Sequence, residues 1–243
     1  MRLVQSPDEP PLFVLIHVQA LKSSQKRKDT YASTSPFAIS LTLIGCATSK
    51  TDVRNEDEAG KFDPTTTARV RLITGDNAHG GFVSGQTCEK FYNESLKSLP
   101  IEQSGWKTAH IDSAGLYPFR ESDHQNSVIG MPASKESKRI NESPRLYDEH
   151  VVTANQPFIA TFGMVGSVSC SPKPVVFTPE PGQDYEMQFQ IVKISTFKAG
   201  CIIQLRKLTA AGNTTIETPM RPQVCARSAD GNFRTKDPLF NTQ

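Results

Sequence analysis

From Tyr185 to Ile194 the chain alternates: Tyr185, Met187, Phe189 and Ile191 fall on one face, Glu186, Gln188 and Gln190 on the other. A period of two is the signature of a strand with one face buried. Thr66 to Thr74 repeats it, with Ala68, Val70 and Leu72 opposite Arg69 and Arg71. Val151–Ala154, Pro157–Met164, Val175–Phe177 and Cys201–Leu208 are apolar runs of strand length, and Thr214 to Thr218 adds an edge strand. Pro179-Glu180-Pro181-Gly182 and Gly212-Asn213 punctuate them, and Gly75 to Gly81, with Asp76-Asn77 and paired glycines, reads as a further turn. One short helix is expected over Glu89 to Leu99. Many short strands with regular turns predict a mainly β chain: an antiparallel β-sandwich, immunoglobulin-like or transthyretin-like, over residues 66–226.

Within that domain, residues 100–149 are polar and irregular, a length of loop that is usually functional or disordered. Trp106, Leu116, Tyr117, Phe119 and Met131 are its isolated apolar anchors, expected to pin the insertion to its own sheet. Gly182 followed three residues later by Tyr185 at a strand start predicts a tyrosine corner, in which the phenol packs in the core and its hydroxyl bonds backbone upstream. The polar end from 227 to 243 is expected to be loose.

Upstream of the β-rich part, Lys22, Lys26, Arg27 and Lys28 precede an apolar stretch, Pro36 to Gly45, that ends in Leu43-Ile44-Gly45-Cys46. A positive segment, an apolar segment and a small residue at the cut form a secretory leader. The last four residues resemble a bacterial lipobox. That resemblance implies that residues 1–45 are removed, that Cys46 becomes the first residue and is acylated on sulfur, and that the membrane is a partner through this lipid. Ala47 to Thr67 is polar and charged, so 46–65 is expected to be a flexible tether. Pro7, Asp8, Glu9, Pro10 and Pro11 fit no leader, which predicts that translation starts near Val18 or Leu21.

The lipobox also changes the arithmetic of charge and cysteine. The chain has 27 basic and 25 acidic residues. Removing Arg2, Lys22, Lys26, Arg27 and Lys28 with Asp8, Glu9 and Asp29 leaves 22 of each, a neutral mature chain without the clustered cations of a nucleic-acid footprint. Of five cysteines, Cys88, Cys170, Cys201 and Cys225 remain, an even number that predicts two disulfides in an oxidising compartment. Three connectivities are open. Cys201–Cys225, closing a hairpin-sized loop, with Cys88–Cys170, pinning the irregular middle, is the preferred set.

The order of elements from 127 to 208 resembles uncharacterised envelope lipoproteins of proteobacteria. The matching pieces are the Gly130-Met131-Pro132 loop, Glu149 to Pro157, Cys170, Phe177 to Glu186, and Cys201 with the strand after it. The resemblance implies a β-rich periplasmic domain and no particular activity.

Motifs that carry chemistry are few. No Gly-x-Ser-x-Gly elbow is present, and Gly166-Ser167-Val168-Ser169 lacks its second glycine. Asp76 to Gly81 has glycines without the lysine of a phosphate loop. His110, Asp112 and His124 are the weak candidates for a metal; no cofactor is expected. These readings converge on a lipid-anchored protein of the bacterial cell envelope, at the outer membrane and facing the periplasm. Its β-domain is expected to bind or scaffold, with an envelope protein as a partner. The rivals are a hydrolase with its site in 100–149, and an inhibitor or assembly subunit.

Overall fold

The structure, a computed structural model, describes residues 50–74, 78–95, 105–108, 125–139, 146–164, 169–195 and 198–238. The described residues are mainly strand, in two sheets. In chain order the strands are β1 (Thr51–Arg54), β2 (Thr67–Thr74), β3 (Ala78–Ser84), β4 (Lys107–Thr108), β5 (Gln125–Val128), β6 (Leu146–Thr153), β7 (Phe158–Met164), β8 (Val175–Phe177), β9 (Asp184–Ser195), β10 (Lys198–Ala211), β11 (Thr214–Met220), β12 (Gln223–Arg227) and β13 (Phe233–Lys236). Among the described residues the helices are short: α1 (Glu56–Ala59), α2 (Cys88–Ser95) and α3 (Lys135–Lys138).

The larger sheet runs β1-β5-β6-β2-β9-β10-β11 and the smaller β13-β12-β8-β7-β3-β4. Most ladders are antiparallel. Three in the larger sheet are parallel instead: β1 with β5, β5 with β6, and β2 with β9. The two sheets share one core. Ala68, Val70, Leu72, Val152, Tyr185, Met187, Phe189, Ile203 and Leu205 come from the larger, and Phe82, Phe158, Ala160, Phe162, Val175 and Phe177 from the smaller. Phe82 stacks on Phe158 at 4.9 Å, and Phe177 tilts against Tyr185 at 5.0 Å. A buried aromatic pair of this kind contributes ~1 kcal/mol beyond its area.

The corner after β8 is closed by that same tyrosine. Glu180 N–H donates to the Tyr185 hydroxyl at 3.0 Å. Gly182 has φ +71°, and a Cβ there would lie 2.9 Å from the Pro64 carbonyl oxygen, so the turn has both a left-handed backbone and no room for a side chain.

Several expectations change. Gly80 and Gly81 lie inside β3, not in a turn. A Cβ on Gly81 would sit 2.3 Å from the Lys107 carbonyl oxygen and 2.5 Å from the Trp106 ring, so the glycine admits a close crossing rather than a bend. The stretch read as a tether holds β1 and α1. β1 pairs with β5, Asn55 caps α1 by accepting from Glu58 N–H, and the Glu58 carboxylate accepts Val151 N–H at 3.0 Å. The part of the 100–149 insertion that is described carries β4, β5, α3 and the start of β6. The polar tail carries β13, whose Phe233 stacks on Tyr92 of α2 at 3.7 Å.

The disulfides are Cys88–Cys225 and Cys170–Cys201. The preferred set, Cys201–Cys225 with Cys88–Cys170, is therefore corrected. Cys225 on β12 lies in the smaller sheet beside α2, within a satellite core of Val83, Phe91, Ile159 and Val176. Cys201 lies at the start of β10 in the larger sheet. The Cys170 bond thus ties the turn end of the β9–β10 hairpin to the segment that pairs with Met164 of β7. Closeness in sequence misled because β11 and β12 belong to different sheets.

Candidate functional site

β11 ends at Met220, and Arg221-Pro222 carry the chain from the larger sheet to β12 in the smaller. β11 covers β10 only from Leu205 to Ala211, so Lys198–Gln204 has no strand neighbour on that side among the described residues. On the facing side β12 meets β8 at two positions alone, Gln223 with Val176 and Val224 with Val175. The sheets are therefore not sealed at this end, and a cleft of about 940 Å³ opens between them. Prolines explain the geometry. Pro219 occupies an edge strand, where its missing N–H removes nothing from the β10 ladder, and Pro222 stops β11 from continuing along β10.

The cleft floor is apolar: Val175, Cys201, Ile203, Leu205, Met220 and Val224. All but Met220, Cys201 and Val224 are buried, and those three pack against the shared core from its margin. The rim is basic. Among the described residues, Lys173, Arg206, Arg221, Arg227 and Lys236 line it against a single acid, Asp237. Arg227 Nε donates to the Gly231 carbonyl at 3.0 Å and Lys236 Nζ to the Arg227 carbonyl at 3.1 Å. Carbonyls satisfy these donors without cancelling their charge. Arg206 differs, because it faces Glu186 at 3.3 Å and Glu217 at 3.6 Å.

Through Arg206 the rim joins a buried charge cluster on the outer face of the larger sheet. Arg71 of β2 is 1% exposed. Its Nη2 lies 2.6 Å from Glu149 Oε1 and its Nη1 3.0 Å from Glu186 Oε2. The same Nη2 donates to the Pro132 carbonyl at 3.0 Å. The other Glu149 oxygen accepts the N–H groups of Ile129, Gly130 and Met131 at 2.7, 3.0 and 3.2 Å. Ser134, the cap of α3, donates to Glu186. Burial opposes the charge on Arg71, but the two carboxylates outweigh it and hold its guanidinium above the ordinary range. Alongside, Arg69 grips Asp184 with two bonds of 2.6 and 2.8 Å and lies over the Phe62 ring at 4.6 Å. The cluster fastens residues 129–138 across the sheet, so a face that the alternation assigns to solvent is covered.

Cys88, Cys170, Cys201 and Cys225 are all bonded, and Cys201 alone of them borders the cleft. Gly182 and Tyr185 form the corner described above. Trp106 packs over Gly81 and lies 6.3 Å from the Phe91 ring, which pins β4 to its own sheet. Cys46, His110, Asp112 and His124 lie outside the described residues, as do Tyr117 and Phe119. The cleft was missed because it depends on which strands stop pairing. The Arg71 cluster was missed because Arg71, Glu149 and Glu186 meet only once the registers are known. Compared with family models, curated proteins and solved structures, the chain matches none.

Proposed function

We propose that this is a lipid-anchored protein of the bacterial cell envelope, held to the outer membrane through acylated Cys46 and facing the periplasm, whose β-domain binds a ligand in the cleft between β10 and β12. The observation that carries the binding role is the cleft itself: a concave, apolar floor set into the core, with a few convergent polar groups at its mouth, is the usual form of a ligand site. The envelope assignment rests on the lipobox and is supported by two disulfides, which persist in oxidising compartments. We read the two sheets as a β-sandwich of immunoglobulin or transthyretin type. The shared core and the Tyr185 corner support this reading, while the parallel β2–β9 ladder is a departure from an all-antiparallel sandwich.

Two measurements test the proposal. The full chain, purified from envelopes without denaturation, should carry a co-purifying species seen by native mass spectrometry. Met220→Glu, which puts a charge at the half-buried lip of the cleft, should lose that species. Retention by Met220→Glu refutes the cleft as the site. Palmitate labelling should depend on Cys46, and labelling that survives Cys46→Ser refutes the anchor.

A further inference from the structure

The chemistry of the cleft narrows its ligand. Resting on the binding role proposed above, we propose that the cleft takes an anionic amphiphile: an aliphatic chain lying along β10 from Cys201 to Leu205, and a carboxylate or phosphate head at the basic rim.

The floor argues for the chain. Val175, Ile203, Leu205 and Val224 are aliphatic, and Met220 is an unbranched thioether that adapts to irregular ligands. The one amide along this stretch among the described lining residues, Gln204, is already bonded to Gln190 and Arg206, so an anion without a tail leaves the apolar floor wet and gains nothing from it. Five residues of strand run ~14 Å at 3.4 Å per residue, a track suited to an extended chain. The volume, about 940 Å³, falls at the top of the range of about 300–1,000 Å³ for small-molecule clefts.

The rim argues for the head. Among the described residues, five cations meet one anion around the mouth. Arg206 is held by Glu186 and Glu217, and its charge is largely answered. Arg227 and Lys236 bond only backbone carbonyls in the contacts quoted above, and they stand on adjacent strands, β12 and β13, where Arg227 pairs with Phe233 and Val224 with Lys236. A neutral lipid leaves that charge unanswered. A cationic amphiphile is repelled by it. An acidic peptide answers the charge but has no continuous aliphatic run to fill the floor, which makes it the less complementary occupant.

The test is calorimetric titration of the purified full chain, free of detergent and with both disulfides intact. The probes are laurate, dodecyl phosphate, dodecyltrimethylammonium, dodecanol, inorganic phosphate and a soluble acidic peptide. Laurate and dodecyl phosphate should bind at least tenfold more tightly than the cationic and neutral amphiphiles, and inorganic phosphate should not bind measurably. Arg227→Glu/Lys236→Glu, at an exposed and a half-buried position of short strands, should weaken laurate at least tenfold while leaving the circular dichroism spectrum unchanged. A tenfold preference for dodecyl phosphate over laurate assigns a phospholipid-type head, and the reverse assigns a free fatty acid. Equal binding of all amphiphiles, or laurate binding unaffected by the double variant, overturns the proposal. Tight binding of the acidic peptide, abolished by Met220→Glu, also overturns it but leaves the cleft as the binding site. No binding by any probe, with a different species co-purifying on the cleft, separates failure of this inference from failure of the wider reading.

Discussion

Replacing Arg71 by Met leaves two carboxylates buried without their shared cation. Arg71, Glu149 and Glu186 are 1%, 2% and 1% exposed, so water does not reach them in the folded state. Breaking a buried pair by removing one partner costs about 3–5 kcal/mol. The structure places this case near the lower end, because Glu149 keeps three backbone N–H donors and Glu186 keeps Ser134 and Arg206. The expected loss is therefore ~3 kcal/mol, a large share of the ~5–15 kcal/mol of a typical domain. With a urea slope of ~2–3 kcal/mol/M, the midpoint should fall by ~1–1.5 M at unchanged slope. Trp106, the one tryptophan, packs against Gly81 and reports the transition by fluorescence. Arg71→Lys should also destabilise, though less, since an ammonium cannot reproduce a fork that reaches Glu149, Glu186 and the Pro132 carbonyl together. A loss under ~1 kcal/mol refutes the claim that the cluster is a dry, mutually dependent unit.

Peptide mapping of the oxidised protein should recover Cys88 with Cys225 and Cys170 with Cys201; a Cys201–Cys225 peptide would contradict the two-sheet assignment of β11 and β12. The Cys88–Cys225 bond spans 137 residues and the Cys170–Cys201 bond 31, so chain entropy gives ~5 and ~4 kcal/mol, and Cys225→Ala should be the more damaging in thermal melts. Tyr185→Phe loses the bond from Glu180 N–H and should cost ~1 kcal/mol, read as a lower melting temperature with no change in fold; a neutral result would deny the corner its role. His150 is held below the ordinary imidazole range by burial, with Lys107 acting the same way and Asp148, Glu58 and Glu149 opposing. Its folded form binds a proton less tightly than the unfolded form. Its contribution is thus complete above about pH 6.5 and is lost as pH falls below that value. His150→Leu should flatten the acid limb of a stability–pH curve, and an unchanged limb would exclude His150 as a cause.

How far the sequence discloses this fold depends on whether information is local. β9 and β10 are legible because their side chains alternate against a shared core, and period two survives without knowledge of partners. β1 is not, because its four residues are all exposed and it is held by backbone pairing with β5, which leaves no trace in side-chain pattern. Gly80-Gly81 invites a turn reading because glycine permits both bends and close approach, and only the position of Trp106 decides between them. The outer face of β2 shows the same limit more sharply. Arg69 and Arg71 look like solvent-facing residues, yet the 129–138 segment covers them, and what marks the difference is the pair of acids that arrive from β6 and β9, 78 and 115 residues away.

The cleft lies where strand pairing stops. A two-sheet β-domain closes its core when its edge strands are covered or paired, and exposed edges are normally blunted. Here β11 leaves the sheet at Pro219-Met220 while β10 continues from Leu205 back to Lys198 beyond its cover. Had β11 run seven residues further, the floor residues Ile203 and Cys201 would lie beneath a strand rather than a mouth. The Arg71 cluster bears on this end too, because Glu186 holds Arg206, and Arg206 stands on the rim. Arg206 is therefore fixed in place by the network that fastens the opposite face, whereas among the described residues Arg227 and Lys236 bond carbonyls of their own hairpin. An incoming anion gains most from the second pair and least from the first. This ordering makes Arg206→Ala a perturbation of stability, and Arg227→Glu/Lys236→Glu a perturbation of binding.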